Sequence, residues 1–439
     1  MQKVIPMKSK AYRAIAVNQI QLDRLLQQRH EELVHAGLDV GKDHILCTLR
    51  WAAHDFERPW RCRNPADLPR LVQSLHAVGQ GRHLVVALEP TGTYGDALRQ
   101  ALQQAGLRVH RVSPKAAADY AEIFDGVPSQ HDGKDAAVVA ERAAQGRCWP
   151  WPLRLPGEVE QELAYQVEWL EGQRRQTQLW YGRLEALVSR HWPEATTLLS
   201  LTSGVLRRCL ARYGGPRGLA EDPKAADRLY RWGKGLLRPD KAEALVASAR
   251  QTAGVPTGRW DEQRLRCYAQ EVHKGLQQQR QARRRLRQLA ARQPTIRAMG
   301  EVVGLVTACV LYVELGNPQD YHCGAAYRKA MGLNLKERSS GRWQGQLKLT
   351  KRGPAAARRW LYLAALRWVR QEPVRSWYVR QKAQRRGAAK PALVGVMRKL
   401  ALALYRVGGR GEPFDRTQLY QGLTADGTVS LDAGVGNKS

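Results

Sequence analysis

Two acids three residues apart, Asp132 and Asp135, stand at the start of "HDGKDAAVVAERAAQG". Residues three apart on a helix share a face, so one helix aims both carboxylates at one spot. Asp39 in "HAGLDVGKD" and Glu89 in "RHLVVALEP" add two more acids, each close to the end of an apolar stretch that reads as a strand. Carboxylates gathered at strand ends and on one helix repel one another unless cations sit among them. Mg2+ (or Mn2+) suits such hard oxygen ligands and takes a few carboxylates together with phosphate oxygens and water. Two such ions clamp the attacking and leaving oxygens of a phosphodiester. Each acid also has a structural role open to it: Asp132 caps a helix, Asp39 satisfies a turn, and Glu89-Pro90 ends a strand. Asp43 reads as structural, and Lys42 beside it as a phosphate contact.

The elements that must position these acids follow in order. "HAGLDVGKDHILCTLRW" reads as a hairpin with Gly41-Lys42 near its turn, and "RPWRCR" as a third strand. "DLPRLVQSLHAVG" is helical and leads into the buried strand that ends at Glu89. "YGDALRQALQQAG" is a helix, "LRVHRVSP" a strand, and "KAAADYAEIF" and "DAAVVAERAAQG" are helices. Strands followed by alternating helix and strand predict an α/β domain with a mixed sheet over residues 34–155. Residues 1–33, with "NQIQLDRLLQQRHEEL", read as an amphipathic helical arm.

Pro150, Pro152 and Pro156 punctuate a boundary. Beyond it Leu163, Leu170, Thr177, Leu184 and Trp192 form the seam of one long helix, and Leu265, Tyr268, Val272, Leu286 and Leu289 that of a second. Two such helices pair as a coiled coil over 156–293, with an inserted helical subdomain at 195–260. Residues 294–409 read as mostly helical, interrupted by the polar "GLNLKERSSGRWQGQLKLTKRG". The Gly-rich residues 410–439 lack periodicity and read as a flexible tail. The fold class expected is therefore multidomain, α/β plus α.

The 439 residues carry 71 Lys+Arg against 40 Asp+Glu, a formal net charge of +31. An excess this large repels itself unless a polyanion shares the burden, which favours nucleic acid as partner. The charge is spread over the whole chain, unlike a membrane-surface helix. The longest apolar run, "VVGLVTACVLYV", is too short to span a bilayer, and the N-terminus lacks a secretory pattern. Seven scattered cysteines without a CxxC pair fit a reduced cytoplasm and argue against a disulfide framework or zinc knuckle.

"GLDVGKD", "ALEPTGTYG", "HDGKDA" and "SSGRWQGQLKLTKRG" together resemble the DEDD transposases of the insertion sequence 110 family, whose relatives include Piv-type DNA invertases. The order of the acids is similar to that of ribonuclease-H-like folds of the RuvC-like, junction-resolvase branch. The resemblance covers residues 34–409 and implies a RuvC-like domain, a coiled coil and a C-terminal transposase domain. It implies that Asp39, Glu89, Asp132 and Asp135 bind divalent metal, and that Ser340, ahead of Gly341, is a nucleophile forming a covalent phosphoserine. It further implies target and donor DNA as substrates and a structured non-coding guide RNA. Dimers pairing into tetramers follow, with one subunit's acids meeting another's serine, in a bacterial cytoplasm and on the nucleoid when DNA is bound. The family's Gly-x-Gly hairpin ahead of the third domain's apolar helix is reduced here to Gly304 in "EVVGLVTA".

Bottom-up, a serine that attacks a phosphodiester conserves the bond energy for rejoining. Ser340 has no His/Asp pair nearby in sequence to activate it, and Ser339 is its fallback; without the resemblance both read as an ordinary turn. Lys348, Lys351 and Arg352 form a basic stretch that either holds the scissile phosphate or is a solvated face. "RSWYVRQKAQRRGAAKP" interleaves Trp377 and Tyr378 with basic residues including Arg385 and Arg386, a pattern that suits a backbone groove with stacking platforms. The competing readings are an RNA-independent DNA invertase, a metal-dependent junction resolvase that uses water, and a non-enzymatic RNA-binding scaffold.

Overall fold

The computed structural model describes residues 12–90, 92–126, 132–336 and 348–415. The chain divides into two compact units, Met1–Leu155 and Pro156–Ser439.

The first unit is built around a mixed sheet. Strand β1 (Ile15–Ala16) pairs in parallel with β5 (Trp60–Arg63) at one edge. Next come β3 (His44–Ala52), β2 (Leu33–Val40), β6 (His83–Leu88), β7 (Val109–Val112) and β8 (Cys148–Pro150); the short β4 (Asp55–Phe56) hangs on β3. The strands β2 and β3 are the expected antiparallel hairpin, while β6 and β7 run parallel to β2. The central β2, with antiparallel β3 on one side and parallel β6 and β7 on the other, makes up the ribonuclease-H-like order.

Alternation along β2 separates the two faces of the sheet. Val34, Ala36, Leu38 and Val40 join Val86 and Leu88 in a core closed by helices α1 (Leu22–Gln27), α2 (Leu68–Gly79) and α3 (Asp96–Gln104). On the other face Ala87 and Val112 pack against α4 (Pro114–Asp125) and α5 (Asp132–Ala144) through Ala117, Val138, Val139 and Ala143. The N-terminal arm departs from expectation. Its described part is no long helix: Ile15–Ala16 extends the sheet edge, Val17 is fully buried at the start of a 3-10 turn, and α-helix is confined to Leu22–Gln27.

In the second unit two long helices, α6 (Glu158–His191) and α12 (Arg259–Ala291), pair antiparallel within the chain. The four seam positions on α6, Thr177 among them, are buried, as is Trp192 just past its end. Leu163, Val167 and Leu170 meet Ala282, Leu286 and Leu289 at one end of the pair, in the core of the C-terminal helices. At the other end Leu184, Val188 and Trp192 meet Leu265, Ala269 and Val272 in a separate core. Between the two cores the pair is polar: Gln279 Nε2 donates to Thr177 Oγ1 at 2.9 Å, and a Cβ on Gly275 would lie 2.2 Å from that same oxygen.

The second core belongs to the insertion, which is helical as expected: α7 (Pro193–Leu198), α8 (Gly204–Tyr213), α9 (Pro216–Ala220), α10 (Ala225–Gly233) and α11 (Pro239–Arg250). Beyond α12 run α13 (Pro294–Val303), α14 (Leu305–Leu315), α15 (Gly324–Ala330), α16 (Ala355–Trp368), α17 (Val374–Gln384) and α18 (Ala389–Arg410). Gly304 joins α13 to α14 at φ +83°, a conformation that side chains disfavour. The polar interruption begins and ends in paired strands, β9 (Leu335–Lys336) and β10 (Lys348–Leu349), and its residues 337–347 lie outside the described ones. Among the described residues no helix is long and apolar enough to cross a membrane.

Candidate metal centre

The pairing Leu38↔Leu88 in the parallel register of β2 and β6 sets Asp39 and Glu89 one residue further along adjacent strands. Neighbouring strands lie about 5 Å apart, so these two carboxylates leave the sheet side by side. The helix carrying the other two acids crosses this face at close range because the strands offer almost no side chain there. A Cβ on Gly37 would sit 2.1 Å from the Ala136 carbonyl and 2.3 Å from the Ala140 nitrogen. Gly37 lies two residues before Asp39, on the same face, and its partner on β6 is the small Ala87. Contact at Ala136 and Ala140 leaves the first turn of α5, with Asp132 and Asp135, over the strand ends.

Electrostatics register the convergence. Burial pushes the Asp39 carboxyl up to about 6, and the charges of Asp135 and Asp132 push it the same way. Glu89 is pushed up to about 7 by burial, then by Asp39 and Asp135. Like charges that raise one another's pKa are the mark of carboxylates sharing a site. Among the described residues no three acid, His or Cys side chains are close enough to coordinate one ion as they stand. The donor set, oxygen throughout, is what hard divalent cations take. Asp39, Glu89, Asp132 and Asp135 thus fit a divalent metal in donor chemistry.

Lys134, between the two helix acids, points away from them. It is 1% exposed and donates to Asp125 Oδ1 at 2.7 Å, while the Tyr12 hydroxyl donates to Asp125 Oδ2 at 3.0 Å. This buried group ties the start of α5 to the last residue of α4 and to the chain ahead of β1. Farther along α5, Glu141 accepts from Arg50 Nε on β3 at 2.6 Å. The helix is therefore fastened at both ends, and sequence reasoning missed both fastenings.

The other candidate residues are distributed as follows. Lys42 is exposed in the β2–β3 turn, and Lys348, Lys351 and Arg352 are exposed on and after β10. Tyr378 is half-buried on α17, and Arg385 and Arg386 are exposed just past its end. Trp377 belongs to the core instead of a stacking platform: it is 9% exposed, a Cβ on Gly395 would lie 2.7 Å from its ring, and Lys399 sits over it at 5.2 Å. Ser339 and Ser340 lie outside the described residues.

A family model described as "Transposase", that of the DEDD domain of IS110 elements, matches residues 36–167, from β2 through α5 into α6. A second, described as "Transposase IS116/IS110/IS902 family", matches residues 301–380. Comparison with curated proteins finds no match. Among solved structures, Thermus thermophilus RuvC in complex with a Holliday-junction substrate is 19% identical, covers 27% of this chain and 99% of its own, and has a TM-score of 0.22. A second structure of Thermus thermophilus RuvC is 18% identical over the same shares, with a TM-score of 0.21. The strand order and the two family models, not these similarities, carry the assignment. With the DEDD-domain model matched over residues 36–167 and a second transposase model following in order at 301–380, the chain belongs to the IS110 family of DEDD transposases.

Proposed function

We propose that this protein is a DNA recombinase that moves an insertion sequence by cleaving and rejoining strands at its metal centre and at Ser340, with a structured RNA selecting the target and donor DNA. The observation that supports the enzymatic reading is the convergence of acids at the strand ends: Asp39 is pushed up by burial and by Asp135 and Asp132, and Glu89 by burial and by Asp39 and Asp135. Bound divalent metal supplies charge neutralisation at a scissile phosphate and makes an attacking hydroxyl more acidic.

The residues of the chain do the rest. Asp39 and Glu89 are held on strand ends, Asp132 and Asp135 on α5, so the donors approach from two directions fixed by the backbone. The Ser340 oxygen attacks phosphorus, forming an O–P ester as the P–O bond to one deoxyribose breaks. The serine proton is lost, and the departing sugar oxygen leaves as a hydroxyl after gaining one. The ester conserves the bond for attack by the hydroxyl of another strand, which restores serine, so rejoining needs no nucleotide cofactor. Lys42, Lys348, Lys351, Arg352, Tyr378, Arg385 and Arg386 are assigned to nucleic-acid contacts that fix register. Dimers pairing into tetramers bring the strands to be exchanged together.

Strand cleavage on supercoiled DNA carrying the element's ends, with Mg2+ or Mn2+ and the RNA that copurifies, tests this reading. Asp39→Asn and Glu89→Gln should abolish cleavage. Ser340→Ala should abolish both rejoining and the covalent protein–DNA species on a denaturing gel. Hydrolysis that continues in Ser340→Ala identifies a resolvase that uses water, and cleavage unchanged in Asp39→Asn sinks the metal centre. Recombination by protein purified free of RNA points to the RNA-independent invertase.

A further inference from the structure

The insertion between the long helices holds a cleft of about 600 Å³, bounded by α8, the turn after α10 and one face of α12. From α8 come Arg207 and Arg208, from the α10 end Trp232 and Lys234, and from α12 Arg280, which with His273 and Gln277 follows helical spacing along one face. No carboxylate lines it.

Three other cations of this insertion have acid partners. Arg217 pairs with Glu262 at 2.7 Å, Arg228 with Asp222 at 3.1 Å and Arg238 with Asp240 at 2.6 Å. Those facing the cleft form no ion pair among the described residues. Arg207 is 6% exposed; it donates through Nη1 to the Leu201 carbonyl and the Tyr181 hydroxyl and leaves Nε without a partner. The Arg208 guanidinium lies 5.6 Å from the Trp232 ring, and Lys234 lines the same cleft. At the rim Leu236 is 95% exposed beside the left-handed Lys234-Gly235 turn. Uncompensated cations around a half-buried aromatic ring and an exposed leucine are what an anion carrying a flat apolar group requires.

We infer that this cleft binds an unpaired stretch of nucleic acid, two or three nucleotides long, with phosphates on Arg208, Lys234 and Arg280 and a base against Trp232. A cleft of this volume has room for a few nucleotides. A duplex keeps its bases stacked away from such a ring, whereas a single strand offers a base face and a backbone together. RNA and DNA share this chemistry. The site does not depend on the metal centre, which lies in the other unit, so it stands or falls separately from the recombinase reading.

The test uses the full chain and photo-crosslinking of a 4-thiouridine RNA decamer and a 4-thiothymidine DNA decamer, with the crosslinked peptides mapped. Crosslinks within residues 203–208, 232–237 or 273–280 are expected, and the oligonucleotide that gives them identifies the source. Arg208→Glu/Lys234→Glu, both exposed, should cut that yield at least tenfold and lower the log–log salt slope by roughly 1.4, at about 0.7 per contact on a single strand. The charge-matched Lys224→Glu/Lys241→Glu should change neither by as much. Trp232→Leu should lose roughly tenfold where Trp232→Phe retains binding. Asp39→Asn should leave every one of these readings unchanged. Crosslinks that map elsewhere, an equal loss in the charge-matched control, or equal binding by Trp232→Leu and wild type overturns the proposal.

Discussion

At the scale of single residues, Asp39 and Glu89 are a destabilising feature above neutral pH until cations arrive. Asp39 and Glu89 bind their protons more tightly in the folded chain than in the unfolded one, where ordinary carboxylate values near 4 apply. Their stabilising contribution is thus complete below about pH 4 and is lost as pH rises through about 6 for Asp39 and about 7 for Glu89. The metal-free protein should show a urea midpoint that falls from about pH 5 to about pH 8, flattened in Asp39→Asn/Glu89→Gln. Mg2+ should raise the midpoint at the higher pH and do little at the lower, because the ligands must be deprotonated. An identical pH profile for wild type and the double variant would rule this out. Lys134 gives a second prediction. Lys134→Met leaves Asp125 buried without its cation and should cost on the order of 3 kcal/mol, whereas Lys134→Met/Asp125→Leu should recover part of that loss. The placement of Asp39, Glu89, Asp132 and Asp135 at strand and helix ends was legible from residue type and local pattern. The role of Lys134 was not, since a lysine between two aspartates reads as solvated and its partner Asp125 lies across a loop.

At the scale of elements, the geometry of the acids depends on α5 lying against bare backbone. Gly37→Ala places a methyl 2.1 Å from the Ala136 carbonyl, so the helix must lift. The expected result is a loss of roughly 2–4 kcal/mol together with weaker Mn2+ binding, measured by denaturation and by electron paramagnetic resonance of the ion. Mn2+ binding unchanged in a folded Gly37→Ala would show that the contact does not set the site. Strands β2, β3, β6 and β7 could be read because alternation, apolar runs and turn residues are local signals. The pairing of Ile15–Ala16 with Trp60–Arg61 could not, since nothing within that stretch encodes a partner on a distant strand. Trp377 misled for a related reason: the basic residues around it suggest a binding surface, and only tertiary packing shows its ring buried beside Gly395.

At the scale of the whole molecule, an excess of 31 positive charges makes ionic strength the dominant external variable. Affinity for nucleic acid should fall by roughly three orders of magnitude or more between about 50 and 200 mM salt, read from equilibrium binding curves. A shallow dependence would mean that few of the cations touch phosphate. The long helix pair was visible as two seams, but the division of labour between its ends was not, because both ends are equally apolar in sequence. Its polar middle at Thr177, Gly275 and Gln279 separates the core of the insertion from that of the C-terminal helices. Such a boundary divides one continuous pair of helices into two cooperative blocks. The insertion should then melt as its own calorimetric transition, and amides near the polar middle should exchange with solvent through openings that leave the C-terminal block closed. Destabilising changes in the insertion would be confined there, so that part of the chain is free to diversify without loosening the C-terminal helices.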